Sequence, residues 1–178
     1  GFLGGHYTGS AANSTSPGHS NRVFSLRFSP VDENILFSGG WDNTVQMWDL
    51  RTENAVRSLF GPHICGDSMD VKGNTVLTGS WRPENTLELW DYGTGKLIES
   101  IPWNQSGGGA KGEPCMLYAA GFSRYQSGKF IGAGGSGANE AKVFDRTKGN
   151  AVVGTVVGRS RGVFTSDFSP DGTKFAVA

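Results

Sequence analysis

Apolar residues occur along the chain in short runs, and no run keeps the spacing of three and four residues that an amphipathic helix requires. Val23 to Phe28, Ile35 to Ser38, Val45 to Trp48 and Ala55 to Leu59 are four such runs. Ser-Pro, Asp-Gly and Gly-Gly pairs, which favour turns, separate runs of this kind. The pattern predicts an all-β protein built from short antiparallel strands.

Composition agrees with this pattern and narrows the class of protein. Glycine supplies 28 of 178 residues, which suits strands joined by tight turns. Sixteen basic residues balance sixteen acidic ones, so we expect no nucleic-acid or membrane partner held by charge alone. Cys65 and Cys115 are too few for a disulfide framework and fit reduced thiols. We expect a cytoplasmic protein, with cytoskeletal, ciliary and nuclear locations as alternatives.

The chain also repeats itself. The pair Trp48-Asp49 recurs as Trp90-Asp91 and, in weakened form, as Phe144-Asp145. Each pair follows a segment with the same order of apolar runs and turns, and a fourth such segment, GRSRGVFTSDFSPDGTKFAVA, ends the chain. Each complete repeat therefore holds four predicted strands.

These repeats resemble those of the WD-repeat β-propeller family. Gly18-His19 stands about thirty residues before Trp48-Asp49, as in that family, and Phe-Ser-Pro closes the first strand. The resemblance covers essentially the whole chain. It implies a ring of four-stranded antiparallel blades around a channel, with typically about seven blades in a complete protein.

The resemblance divides residues 1–178 into parts of one propeller. The expected parts are the outer strand of a preceding blade with a loop (1–17), a blade (18–61), a blade with a long glycine-rich loop (62–111), a degenerate blade (112–157) and the first half of a further blade (158–178). About three and a half blades cannot close a ring, and an open ring exposes strand edges. We therefore expect the sequence to be part of a longer propeller.

The segment SGGWDNTVQMWDLR contains Trp-Asp twice, with two different roles. Trp48-Asp49 ends the third strand, whereas Asp42 belongs to the turn before that strand. The resemblance implies that Asp42 bonds His19, that His19 bonds Ser38, and that Ser38 accepts from the Trp48 indole. Such a network pairs the polar atoms of side chains that are largely removed from water.

The later repeats depart from this network. The matching residues of the second repeat are Glu84, His63, Thr78 and Trp90. Ala138, Ala133 and Phe144 should abolish the network in the third repeat, and Arg159 replaces the histidine in the fourth. The stability of the blades is therefore expected to fall along the chain.

Three patterns resemble catalytic or ligand sites, but each has a simpler explanation. Ser38, His19 and Asp42 are the residue types of a nucleophilic triad, yet Ser38 lies inside a strand and is committed to Trp48. The string from Gly132 to Gly137 matches a dinucleotide fingerprint, but a strand follows it instead of a helix. His63 and Cys65 lack a second pair at the spacing of a metal site. We expect no catalytic residue, metal or cofactor.

The family meets its ligands mainly through the start of the innermost strand and the residue before the turn aspartate. In the first repeat these positions are Arg22, Phe24 and Trp41. Aligning the other repeats places Asp67, Tyr118 and Phe164 at the position of Phe24. Three aromatic rings and one acid would hold an aliphatic or basic side chain by apolar burial and cation–π contact.

Two expectations about exposure accompany these candidates. Phe24 and Phe164 lie in first strands, so core packing is the alternative to binding. Trp41, as a turn residue, is expected to be the most exposed of the five tryptophans.

The resemblance implies a non-enzymatic scaffold that binds partner proteins or peptides on the top face, as a subunit of a larger complex. One alternative is a substrate receptor of a cullin-type ubiquitin ligase, because Trp48 to Arg51 resembles the WDxR box, in which Arg51 would contact the adaptor. Another is a structural component of a cytoskeletal or ciliary assembly. An enzyme would need convergent carboxylates or histidines at the channel mouth, where Asp67 is the sole candidate.

Overall fold

The computed structural model describes residues 18–104, 113–124 and 128–178. Within these residues, fourteen β-strands form three four-stranded antiparallel sheets and one two-stranded sheet, and a 3-10 helix spans Arg146–Lys148. The chain is all-β, as its apolar pattern predicts, and it folds as consecutive blades of a β-propeller. The outer strand predicted within residues 1–17 and the glycine-rich loop (105–112) lie outside the described residues.

Within each sheet the strands follow one another in chain order. Sheet 1 contains β1 (Val23–Phe28), β2 (Ile35–Gly40), β3 (Thr44–Asp49) and β4 (Asn54–Phe60). Sheet 2 contains β5 (Met69–Lys72), β6 (Thr75–Gly79), β7 (Leu87–Asp91) and β8 (Lys96–Ile101). Sheet 3 contains β9 (Cys115–Phe122), β10 (Phe130–Gly137), β11 (Ala141–Asp145) and β12 (Ala151–Val156). Sheet 4 contains β13 (Ser166–Phe168) and β14 (Phe175–Val177).

The two ends of the sheets are distinguished by their turns. We call the end that carries the turn between the second and third strands the top end, and the opposite end the bottom end. In the three complete sheets this top turn includes an asparagine with positive φ, namely Asn43, Asn85 and Asn139 at 60°, 49° and 51°. Asparagine tolerates this left-handed backbone better than most residues, so the same residue type recurs at the same place.

Successive sheets pack face to face through apolar side chains. Phe37, Val45 and Leu59 of sheet 1 form one buried cluster with residues of sheet 2 such as Met69 and Val76. A second cluster joins sheets 2 and 3 in the same way. The sheets are also tied at the top end by three backbone hydrogen bonds of 2.9 to 3.1 Å, which run from the N–H groups of Ile64, Leu117 and Val163 to the carbonyls of Gly40, Ser80 and Gly135.

A glycine near the end of each second strand permits this close approach. A Cβ atom on Gly39 would lie 2.8 Å from Ile64 Cγ1, and one on Gly134 would lie 2.6 Å from Val163 Cγ1. Gly79, at the same position of sheet 2, would meet Ala120 Cβ at 2.9 Å. Real Cβ contacts are longer than this, so a larger residue here would push the neighbouring sheet away.

Sheet 1 contains a continuous side-chain network on its buried face. Trp48 Nε1 donates to Ser38 Oγ at 2.7 Å, Ser38 Oγ lies 2.7 Å from His19 Nε2, and His19 Nδ1 lies 2.7 Å from Asp42 Oδ2. The Asp42 carboxylate can only accept, so His19 Nδ1 carries the hydrogen of this bond. The hydroxyl of Ser38 then donates to His19 Nε2 and accepts from Trp48. Thr44 also donates to Asp42, at 2.9 Å. Each polar atom of this buried chain has a partner.

The prediction for the second sheet is wrong in part. Trp90 Nε1 donates to Thr78 Oγ1 at 3.0 Å, but His63 Nδ1 lies 2.7 Å from Asn43 Oδ1 of sheet 1, and Glu84 is exposed. The backbone gives the reason. Trp81 N donates to the His63 carbonyl just as Trp41 N donates to that of Arg22, so His63 occupies the place of Arg22 and not that of His19.

Arg82 pairs with a buried carboxylate of sheet 2 and also contacts the backbone before that sheet. The turn from Trp81 to Asn85 is two residues longer than its counterpart in sheet 1, which carries Glu84 away from the buried face. Arg82 Nη2 forms a 2.7 Å ion pair with the buried Glu88, and Nη1 donates to the Gly61 carbonyl at 2.7 Å. Burial raises the pKa of Glu88, and the nearby Arg82 opposes that rise.

Sheet 3 replaces the missing network with a different one. Trp103, just beyond β8, packs on Phe144 with ring centroids 5.7 Å apart, and its Nε1 donates to Glu140 Oε1 at 2.6 Å. Lys142 Nζ lies 3.1 Å from the same oxygen and donates to the Trp103 carbonyl at 2.9 Å. Glu140 and Lys142 are only 2% and 4% exposed. The third repeat lacks the histidine network, as expected, but a buried ion pair and an indole provide polar contacts in sheet 3 instead.

Among the described residues, no helix is long and apolar enough to cross a membrane.

The first prediction concerns the network of sheet 1. Replacing His19 by Ala removes one hydrogen-bond partner from each of Asp42 and Ser38 in a desolvated place, so the free energy of unfolding should fall by about 1 to 3 kcal/mol. Arg159→Ala is the matched control, because Arg159 is exposed and its loss should cost no more than about 0.5 kcal/mol. Urea denaturation of the complete protein measures both values. An equal loss of unfolding free energy in both variants would contradict the assignment of His19 to the buried network.

The second prediction concerns pH. Burial raises the pKa of Asp42, but hydrogen bonds from Thr44, His19 and the Ser20 backbone outweigh it and hold the pKa below 3.8. A carboxyl with a lowered folded pKa stabilises the protein above its unfolded pKa and loses this contribution as the pH falls through the folded value. The stability gap between the wild type and Asp42→Asn should therefore be constant near neutral pH and shrink below pH 3.8. Urea midpoints measured against pH test this, and a gap that stays constant in acid would count against it.

The third prediction concerns the buried pair of sheet 3. Lys142→Met leaves a buried carboxylate uncompensated and should lower the free energy of unfolding by about 3 to 5 kcal/mol. Adding Glu140→Gln removes that charge and still offers an oxygen to Trp103 Nε1, so the double variant should recover most of the loss. Thermal or urea denaturation compares the two variants. A double variant less stable than the single one would show that the ion pair is not the source of the loss.

Candidate functional site

Aromatic side chains gather at the top end of the four sheets. Trp41 follows β2 directly, and Trp81 occupies the same place after β6. Phe24 lies in β1 and Tyr118 in β9, while Phe164 precedes β13. Together with His63, these residues form what we call the top aromatic surface.

The first half of this surface is centred on Trp41. Its ring lies 5.0 Å from that of Phe24 and 6.4 Å from that of His63, which is parallel to it within 8°. The Arg22 guanidinium carbon sits 5.1 Å from the Trp41 ring centroid. Trp41 Nε1 donates to Cys65 Sγ at 2.9 Å. The structure thus brings together the three first-repeat candidates, Arg22, Phe24 and Trp41.

The second half of the surface joins sheets 2, 3 and 4. The ring of Tyr118 lies 6.2 Å from that of Trp81 and 5.0 Å from that of Phe164. Trp81 Nε1 donates to Ser136 Oγ at 3.4 Å, which links the top turn of sheet 2 to the end of β10. Trp81 and Phe164 are 37% and 55% exposed, and Phe24 is 39% exposed. Trp81, which lies between the complete sheets 2 and 3, is therefore open to a partner and is not sealed in a core.

The expectation that Trp41 is the most exposed tryptophan is wrong. Trp41 is half-buried, because Phe24, His63 and Arg22 surround its ring, and Trp81 is the most exposed of the five. The rule that takes the residue before the turn acid does not find Trp81, because Pro83 precedes Glu84 in the longer turn of the second repeat. Counting forward from the end of the second strand would have found it, since GGW and GSW then align.

Asp67 does not occupy the position predicted for it. Ile64, Leu117 and Val163 make the same backbone hydrogen bond to the preceding sheet, so the residues after them, Cys65, Tyr118 and Phe164, are equivalent. In sheet 1, Phe24 alone separates Val23 from Ser25, the residues that pair with the end of β2. In sheet 2, three residues separate Ile64 from Ser68, and the extra length moves Asp67 out of this row.

Asp67 belongs instead to an ion-pair cluster beside the first strands. Arg27 Nη2 of β1 lies 2.6 Å from Asp67 Oδ1, and Arg27 Nε lies 3.7 Å from Asp70 Oδ1. Asp70 is largely buried and accepts the Phe122 N–H at 2.8 Å. Burial raises the pKa of Asp70, while its backbone hydrogen bonds and Arg27 oppose the rise. Asp67 is thus exposed, but its carboxylate is paired with Arg27 of sheet 1 and lies outside the row of Phe24, Tyr118 and Phe164.

Arg22 places a cation against the top aromatic surface, and the His63 imidazole does not add a second one. Burial lowers the pKa of His63, and the nearby Arg82 lowers it further, so the imidazole is neutral at pH 7. Burial raises the pKa of the Cys65 thiol, and the hydrogen bond from Trp41 opposes this only in part. Ser38, the one candidate nucleophile of the triad pattern, is buried and bonded to Trp48 and His19. Apolar contact and cation–π attraction are therefore the interactions that this surface can offer.

Arg51 lies at the bottom end, after β3. Its Nε and Nη2 donate to the two carboxylate oxygens of Asp49 at 2.9 and 2.6 Å. The pair holds the pKa of Asp49 at about 2. An adaptor contact through Arg51 would have to use the N–H groups that Asp49 leaves free.

Comparison with known proteins agrees with the repeat pattern. The family profile described as "WD domain, G-beta repeat" matches residues 12–49. The chain is 28% identical over 93 residues to "Autophagy-related protein 16" of Arabidopsis thaliana, which covers 52% of this chain and 18% of that protein. It is 31% identical over 88 residues to "Small ribosomal subunit protein RACK1" of Drosophila melanogaster, covering 49% and 28%.

A third relative is "MST50-interacting protein 11" of Pyricularia oryzae, 30% identical over 91 residues, or 51% of this chain and 29% of that protein. The matched region spans less than a third of each of these relatives. Three observations point to WD-repeat proteins: the sequence similarity, the matched repeat and the consecutive four-stranded sheets. Residues 12–49 match the WD repeat, and the chain resembles the WD-repeat family of β-propeller proteins in its consecutive four-stranded sheets.

Proposed function

We propose that this protein is a non-enzymatic interaction scaffold whose top aromatic surface binds partner proteins or peptides. The observation that carries the proposal is the pair of ring clusters at one end of four sheets, in which Trp81 remains open to solvent between two complete sheets. Aromatic residues are enriched in protein interfaces and dominate their binding energy. Large exposed rings that contact one another are unusual on a surface without a partner.

The rings are held in place before any partner arrives. Trp41 is fixed by Cys65, Phe24 and His63, and Trp81 by Ser136 and Tyr118. A side chain that is already ordered loses little rotamer entropy on binding, so more of the contact energy appears as affinity. The surface suits an aliphatic or basic side chain of a partner, which would bury apolar area and face the electron-rich rings.

The polar groups also support a binding role over catalysis. The serine, histidine and aspartate of sheet 1 satisfy one another around Trp48, and Asp67 pairs with Arg27. Relatives named for a ribosomal subunit and for interaction with another protein fit a subunit of a larger cytoplasmic complex. Identifying the chains that co-purify with the complete protein from its native source would name the partners.

The fourth prediction tests the surface through Trp81. Trp81→Ala removes a partly exposed ring that contacts Ser136 and Tyr118, so the free energy of unfolding should fall by only about 1 kcal/mol. Partner affinity should fall by about 2 kcal/mol or more if Trp81 is an anchor. Leu97→Ala is the control, because it removes an exposed apolar side chain from β8, an outer strand away from the surface. Calorimetric titration with each co-purifying partner gives the affinities, and unchanged binding to Trp81→Ala for all of them would refute the proposal.

A further inference from the structure

Charged side chains at the bottom end are segregated by sheet. At the bottom of sheet 1, one cation, Arg51, accompanies four carboxylates: Asp32, Glu33, Asp49 and Glu53. At the bottom of sheet 3 the ratio is reversed, and one carboxylate, Asp145, accompanies four cations: Arg124, Lys129, Arg146 and Lys148. The balanced charge of the whole chain therefore conceals an acidic and a basic patch on the same end of the protein.

The basic patch is held in place by the strand ends beneath it. Arg146 Nη1 donates to the Gly128 carbonyl at 3.1 Å, and the Arg146 guanidinium carbon lies 5.0 Å from the Phe122 ring centroid. Lys129 Nζ lies 5.0 Å from the Phe130 ring centroid. Lys72 of sheet 2 adds a further cation, since its Cγ is 3.3 Å from where a Cβ on Gly128 would lie. Cations from two sheets thus meet at one turn.

The single carboxylate of this patch does not neutralise it. Asp145 is 2% exposed and accepts the Thr147 N–H and hydroxyl at 2.9 and 2.6 Å, and Lys129 Nζ is 3.9 Å away. In the described parts of the chain, no carboxylate lies within 4.0 Å of the charged nitrogens of Arg124, Arg146 or Lys148.

A groove borders the patch. Residues of sheet 3 face residues of sheet 2 across a cavity of about 390 Å³, lined by Gly128, Lys129, Arg146, Thr147 and Asn150 on one side and by Leu89, Ile98 and Glu99 on the other. The Glu99 carboxylate accepts from Asn150 Nδ2 at 2.8 Å, and Lys129 and Arg146 outnumber it in the groove. Ile98 is exposed on one wall, and the cations line the other. The groove can therefore receive an aliphatic side chain while neighbouring acidic groups meet the cations.

We propose that the basic patch and its groove bind an acidic segment of a partner protein. This surface is separate from the top aromatic surface, since it lies at the opposite end of the sheets. Opposite charges brought together at a partly desolvated surface speed association and set its specificity.

The surroundings favour a short acidic peptide over a nucleic acid. The acidic bottom of sheet 1 would repel a phosphate backbone that continued across the end of the protein. Single-stranded nucleic acids also gain affinity by stacking bases on aromatic rings. Here Phe122 and Phe130 are covered by Arg146 and Lys129, so their outer faces are not free for stacking. A short peptide needs only the cations and the groove.

The fifth prediction tests this surface with a fluorescein-labelled decaglutamate peptide and the complete protein. Fluorescence anisotropy at low salt should show binding that weakens as salt is added, whereas a decaglutamine peptide should not bind. The double variant Arg124→Glu, Lys148→Glu should weaken binding at least about tenfold. Arg159→Glu, Arg161→Glu, an equal charge change at exposed residues of the top end, should leave it within about twofold.

Three results would overturn the proposal. The first is no binding of decaglutamate by the wild type, or equal weakening by both double variants. The second is tighter binding of decauridine RNA than of decaglutamate, which would assign the patch to nucleic acid. The third is a dimer in sedimentation that is lost in Arg124→Glu, Lys148→Glu, which would make the acidic bottom of a second copy the occupant. Circular dichroism and thermal unfolding establish that each variant is folded.

Discussion

Close packing between successive sheets is the constraint on which the rest of this structure depends. Gly39, Gly79 and Gly134 leave room for the next sheet, and a backbone hydrogen bond beside each glycine fixes the level at which that sheet docks. This one contact determines which residue of each first strand reaches the top end. It therefore places Phe24, Cys65, Tyr118 and Phe164 in one row, and it brings Trp41 and Trp81 beside that row.

The same packing buries polar groups that must find partners, and the three complete sheets solve this problem differently. Sheet 1 uses His19 with Asp42, and sheet 2 uses the ion pair of Arg82 with Glu88. Sheet 3 uses Trp103, which comes from the end of sheet 2, with Glu140 and Lys142. Since an unpaired buried polar group costs about 1 to 3 kcal/mol, a repeat that loses one solution has to acquire another. Degeneracy of the motif therefore does not by itself mean a weaker sheet.

The two ends of the sheets differ in the chemistry that they present. The top end offers ordered aromatic rings, which suits apolar and cation–π recognition. The bottom end offers separated acidic and basic patches, which suits recognition by charge. The two proposed binding surfaces lie at opposite ends of the sheets, so their partners would not compete for the same residues.

Much of the fold and part of the candidate site could be predicted from the sequence. Short apolar runs between turn residues determined the all-β class, and the complete motif of the first repeat determined the network from His19 to Trp48. These features depend on spacing within one repeat. Arg22, Phe24 and Trp41 come from that same repeat, and they lie together as expected.

Only the tertiary structure decided the features that depend on how one sheet meets the next. Three such features follow from inserted residues and from the level at which the sheets dock. They are the exposure of Trp81, the contact of His63 with Asn43 and the pairing of Asp67 with Arg27. The pairing of Trp103 with Glu140 joins residues of two repeats across the packed interface. Linear spacing determines local hydrogen bonding and the alternation of side chains, whereas contacts between residues distant in the chain form only when packing brings their backbones together.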